Sequence, residues 1–84
     1  MDYKTTDMYL ATFLMTKGFR LKNYEYGKPK GIFVFQLDDD IKQAEHDYYF
    51  APEDDISVMV NAKKHIENID KLKQIIHSTN HYAI

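Results

Sequence analysis

Phe19-Arg20-Leu21-Lys22-Asn23-Tyr24-Glu25-Tyr26 and Ile32-Phe33-Val34-Phe35-Gln36-Leu37, joined by Gly27-Lys28-Pro29-Lys30-Gly31, decide the fold of this chain. The first run alternates apolar Phe19 and Leu21 with basic Arg20 and Lys22. Its apolar positions then shift to Tyr24 and Tyr26, which predicts a bulge near Asn23. The glycine- and proline-rich link is a turn by composition, so strands over 19–26 and 31–37 form an antiparallel hairpin. Ile32-Phe33-Val34-Phe35 is apolar on both faces, the pattern of a central strand that needs cover on each side.

Helices are expected on both sides of this hairpin. Over 6–17, Leu10, Phe13 and Leu14 make an i, i+3, i+4 stripe widened by Ala11 and Met15. Thr6 or Thr5 is the candidate N-cap, with Asp7 set against the positive end of the dipole. Gly18 suits the position after the helix, where Phe19 can pack back on Leu14. Asp38, Asp39 and Asp40 precede a helix over about 40–50, with a stripe of Ile41, Ala44 and Tyr48. Ala51-Pro52-Glu53-Asp54-Asp55 is a loop. Ile56-Ser57-Val58-Met59-Val60 is rich in β-branched residues and is expected to be a third strand. Asn61 can cap a last helix over about 62–78, buried through Ile66, Ile69, Leu72, Ile75 and Ile76. Residues 79–84 are expected to fray. The expected order is α-β-β-α-(β)-α. This is one α+β domain over 1–84, an antiparallel hairpin or three-stranded sheet packed by helices.

The composition fits that reading and excludes others. The chain has 84 residues, 44% of them hydrophobic, which is more than a disordered chain carries. No cysteine is present, so disulfides, thiolate ligands and cysteine nucleophiles are excluded. No apolar run reaches the roughly 20 residues of a membrane span. The acidic start, Met1-Asp2-Tyr3, lacks the basic region of a signal peptide. A cytoplasmic protein is expected, with no cofactor and no membrane partner. A sheet this thin leaves an edge unpaired, and homodimerisation through that edge, or through an aromatic face, would resolve the exposure.

The net charge of -2 hides a steep division. Residues 1–36 carry +3, residues 37–56 carry -7 and residues 57–84 carry +2. Two candidate surfaces follow. The acidic one, Asp38, Asp39, Asp40, Glu53, Asp54 and Asp55 with Glu45 and Asp47 nearby, suits a basic surface of a partner protein. The basic-aromatic one is the hairpin, with Arg20, Lys22, Tyr24, Tyr26, Lys28 and Lys30. Cations for phosphates and rings for bases are what single-stranded nucleic acid needs. Solvated charges and core tyrosines are the plainer account of both, and burial of Tyr24, Tyr26, Tyr48 and Tyr49 decides between them. His77 and His81 share an i, i+4 spacing, but no carboxylate completes a zinc motif, so no metal is expected. No P-loop, GxGxxG or GxSxG pattern occurs, and no catalytic residue is assigned.

Tyr3-Lys4-Thr5-Thr6-Asp7-Met8-Tyr9-Leu10-Ala11, Phe13-Leu14, Lys17-Gly18, Phe33-Val34-Phe35, Asp47-Tyr48-Tyr49, Val60-Asn61-Ala62-Lys63 and Leu72-Lys73 together resemble a family of short bacterial and phage proteins classed as a domain of unknown function. In place of the Asn-Gly turn that the family pattern has after its aromatic pair, this chain has Phe50-Ala51-Pro52-Glu53. The resemblance implies a phage or mobile-element setting and brings no activity, cofactor or catalytic residue. The sequence therefore predicts a non-enzymatic accessory protein, homodimeric, that binds a protein of DNA-handling or defence machinery. Single-stranded nucleic-acid binding by the hairpin is the alternative.

Overall fold

The structure, a computed structural model, describes residues 1–27 and 29–82, with side chains described up to residue 77. Strand β1 (Asp2–Thr5) leads into helix α1 (Met8–Thr16), and strands β2 (Leu21–Glu25) and β3 (Ile32–Gln36) form the hairpin. Helix α2 (Ile41–Phe50), a 3-10 turn (Ile56–Val58) and helix α3 (Ala62–Tyr82) complete the chain. The α+β class and the three-stranded antiparallel sheet are as the sequence predicts. The third strand is not. It is the N-terminal segment, which pairs with β3 to give the order β1-β3-β2.

The apolar β3 is central, and its two faces meet different surroundings. Phe35 pairs with Tyr3 on one side and Leu21 on the other; Phe33 pairs with Thr5 and Tyr24. These positions form the inner face, which joins Leu10, Phe13 and Leu14 of α1, Ile41 of α2 and Leu72 of α3 in one core. Each fully buried side chain of this kind contributes about 1.5–3 kcal/mol through removal from water. The register shift between Leu21 and Asn23 is the predicted bulge, and it keeps both Leu21 and Tyr24 inward.

Helix ends follow local chemistry. Asp7, rather than Thr5 or Thr6, caps α1: its carboxylate accepts from the amides of Tyr9 at 2.9 Å and Leu10 at 3.1 Å. Thr5 Oγ1 instead accepts from the Asp7 amide, 3.1 Å away. At the other end, Phe19 N–H donates to Leu14 and Gly18 N–H to Met15, both at 3.0 Å. Gly18 has φ +101°, a conformation that costs a side chain strain, and Phe19 returns to the core. Asn61 caps α3 through the Lys64 amide at 2.9 Å.

Two boundaries depart from expectation. Residues 56–58 form a 3-10 turn because Asp55 accepts from Ser57 N–H at 2.9 Å and Met59 N–H closes on Ile56. That local bonding satisfies the backbone without a sheet partner. Helix α3 runs to Tyr82 instead of fraying from residue 79. Among the described residues no helix is long and apolar enough to cross a membrane.

Candidate functional surfaces

The acidic segment is built around the start and end of α2. Asp38 accepts from the Asp40 amide at 2.8 Å and shapes the turn into the helix. Asp39 is exposed. Asp40 stands at the N-cap position but makes no side-chain cap bond. Its carboxylate lines a cleft of about 310 Å³ with Gln43, Ala44 and Asp47, the i, i+3, i+4, i+7 face of α2. Phe13 and Phe19 are also in the lining. Lys17 enters from α1; its ammonium lies 5.6 Å from the centre of the Phe13 ring and donates to Met59 O at 2.7 Å. Beyond α2, Glu53 and Asp54 are exposed. The backbone amide of Ser57 holds the Asp55 carboxyl below its ordinary value.

Exposed apolar side chains share this segment. Phe50 is 74% exposed, Ile56 82% and Met59 54%, and they bracket Glu53, Asp54 and Asp55 in sequence. Scattered exposed apolar residues are ordinary, but here three of them fall within ten residues of sequence that also carry Glu53, Asp54 and Asp55.

Among the described residues, the candidates of the basic-aromatic hairpin stand in different surroundings. The bulge before Asn23 turns Tyr24 inward, where its ring lies 5.0 Å from Phe33 and 5.7 Å from Tyr26. Lys22 is bonded to Asp2 at 2.6 Å, in an ion pair. Arg20 is exposed, Tyr26 donates to Ile76 O at 3.2 Å near the end of the described side chains of α3, and Lys30 stands beside Asp7 and Tyr24. Lys28 lies outside the described residues.

Tyr3, Tyr48 and Tyr49 tie β1 and α1 to α2, a network that the sequence pattern does not disclose. Tyr48 is half-buried against Phe13, with ring centres 5.1 Å apart. Tyr3 donates to Glu45, and burial followed by that bond raises the phenol well above its usual range. Tyr49 is exposed yet donates to Asp7 Oδ2 at 2.8 Å, which pushes its own hydroxyl up to about 12. Burial pushes the Asp7 carboxyl up, but the bonds from Tyr49, Leu10 and Tyr9 and the charge of Lys30 outweigh it and hold it below its ordinary value. The signal for this network is Asp2-Tyr3-Lys4, a single aromatic between charges, too short to separate a strand from a loop by pattern.

His77 is exposed, and the His81 side chain lies outside the described residues. Among the described residues no group of three or more His, Cys, Asp or Glu is placed to hold a metal ion.

These features define a small α+β domain with a mixed acidic-apolar surface and a separately built sheet. The chain belongs to the family described as "Domain of unknown function (DUF5659)", which matches residues 1–78. No curated protein and no solved structure matches the chain.

Proposed function

We propose that the protein is a non-enzymatic accessory factor whose acidic-apolar surface, from Asp38 to Met59, docks a partner protein presenting basic and apolar side chains. The observation that carries this is the coincidence of exposed Phe50, Ile56 and Met59 with the acids Glu53, Asp54 and Asp55. Apolar contact supplies affinity, and the carboxylates set orientation and speed of encounter. Asp40 and Asp47, which line one cleft, offer carboxylates to a partner's lysine or arginine. A phage or mobile-element setting, a partner from DNA-handling or defence machinery and an encounter in the cytoplasm are part of the same proposal. Self-association through an edge strand, β1 or β2, belongs to the same reading; sedimentation showing only a 10.0 kDa species would remove that part.

Single-stranded nucleic acid is the weaker reading. The Tyr24 ring is engaged by Phe33 and Tyr26, and Lys22 is held by Asp2.

The test is affinity capture from the source cell with the native chain, an Asp38→Lys, Asp39→Lys, Asp40→Lys triple variant and a Phe50→Ser, Ile56→Ser double variant. A protein retained by the native chain and lost in both variants supports the reading. Equal recovery by all three chains ends it.

A further inference from the structure

A second concavity among the described residues lies away from the acidic surface. It holds about 500 Å³, a volume typical of small-molecule sites, between the start of α1, the hairpin and α3. Asp7, Tyr9, Tyr24, Lys30, Phe33 and Ile76 line it.

Its walls are aromatic and held in place. Tyr24 lies tilted at 47° to Phe33 and edge-on to Tyr26. Gly31 adjoins the phenol so closely that a Cβ there would fall on the ring, so the hairpin is built around Tyr24. Tyr9 stands at the opening, 61% exposed.

The polar groups are unequal. Asp7 has both oxygens engaged, Oδ1 by the Tyr9 and Leu10 amides and Oδ2 by the Tyr49 hydroxyl. Its charge is further compensated by the N-terminus of α1. Lys30, by contrast, makes no hydrogen bond or ion pair among the described residues, and the Tyr24 hydroxyl makes no hydrogen bond there. Lys30 also acts on Asp7 through its charge, but no hydrogen bond or ion pair ties it down. Two donors without a hydrogen-bond partner among the described residues, one of them a cation, therefore line one aromatic cleft. A complementary molecule brings a flat apolar body and one negatively charged acceptor. A cation would meet Lys30, and a dianion would meet Asp7.

We propose that this cleft binds a small planar aromatic carboxylate. Its ring lies among Tyr9, Phe33 and Ile76, and its carboxylate accepts from the Lys30 ammonium and the Tyr24 hydroxyl. The proposal is independent of the docking surface.

The probe is cinnamate, with its neutral amide as comparison, titrated into the isotope-labelled full chain and followed by amide chemical shifts. Cinnamate is expected to move Tyr9, Gly31 and Ile76 and to bind at least about tenfold more tightly than the amide, the gain of one charge-assisted contact. Lys30→Gln, at an exposed position, should erase that preference with the rest of the spectrum unchanged. Tyr24→Phe should weaken cinnamate more than the amide. Equal affinity for acid and amide, shifts confined to other parts of the chain, no saturable binding, or a preference that survives Lys30→Gln would each overturn the assignment.

Discussion

The two faces of the sheet are buried by different means. The inner face is covered by helices: Phe35 is fully buried and Phe33 nearly so, within the same core as Leu10, Leu14 and Leu72. The outer face is outside that core, yet Val34 is only 3% exposed. Its registered neighbours are Lys4 of β1 and Asn23 of β2. Two ion pairs, Lys4–Glu25 at 3.5 Å and Lys22–Asp2 at 2.6 Å, run from one flanking strand to the other across β3. Long side chains can keep their charges in water while their methylenes shield an apolar neighbour, which accounts for the burial of Val34. A small chain thus covers the second face of its central strand without another helix.

The contrast is tested first where the effect is largest. Phe35→Ala removes a ring from the closed core and should cost about 3–5 kcal/mol. In a domain of this size that is most of the total stability, so urea melts should show a largely unfolded variant. Val34→Ala, beneath a cover that can settle onto the gap, should cost about 1–2 kcal/mol and leave the fold intact. If both variants unfolded at the same urea concentration, the two faces would be energetically equivalent and the distinction would fail.

Lys4 separates the stem from the charge. Lys4→Met keeps an apolar stem over Val34 and removes the exposed ion pair, so stability should change by about 1 kcal/mol or less in either direction. Lys4→Ser removes both and leaves Val34 exposed, with an expected further loss of about 1 kcal/mol. Equal melts for Met and Ser would assign the stabilisation to the charge and not to the methylenes.

The same division explains what the sequence disclosed. Features fixed within a few residues were legible. Gly18 with Phe19 ends α1, the shifted alternation marks the bulge, Asn61 starts α3, and Phe33 and Phe35 declare a central strand. Features fixed by a distant partner were not. Asp2–Thr5 is a strand because β3, far along the chain, offers it an edge, while Ile56–Val58 has the better β composition and no edge to use. Propensity for a strand expresses fit to a half-buried sheet surface, and Ile56, 82% exposed, has none. The acidic candidates were legible as a charge run and their exposed apolar neighbours were not, since sequence does not say which face of α2 or of the 3-10 turn is covered. The hairpin candidates were read as one group, but the bulge between Leu21 and Asn23 puts Tyr24 and Lys22, two residues apart, in different surroundings.

The smallest effect distinguishes two carboxylates, one serving each face. Both are held below their ordinary value, Asp2 first by its hydrogen bond with Lys22, Asp7 by neutral donors that outweigh burial. A depressed carboxyl contributes stability that is present above its unfolded value of 3.8 and is lost as pH falls through the folded value. Both therefore act on the acid limb alone. They should separate with salt. At about 1 M the screening length is ~3 Å, so the Asp2 carboxyl should move toward 3.8 as its attraction to Lys22 is screened. Asp7 should barely move, because the Tyr49 hydroxyl and the Tyr9 and Leu10 amides carry no net charge. Tyr49→Phe should instead raise Asp7 at any salt concentration and leave Asp2 where it was. It should also remove an alkaline contribution: with the hydroxyl pushed up to about 12 from 10.0, the folded state gains stability below pH 10 that is lost as pH rises through 12. Side-chain carboxyl titration by NMR at low and high salt reads all of these shifts. Equal movement of both carboxyls with salt would mean that Lys30, not the neutral donors, governs Asp7, and would leave that ammonium less available to any ligand in the cleft.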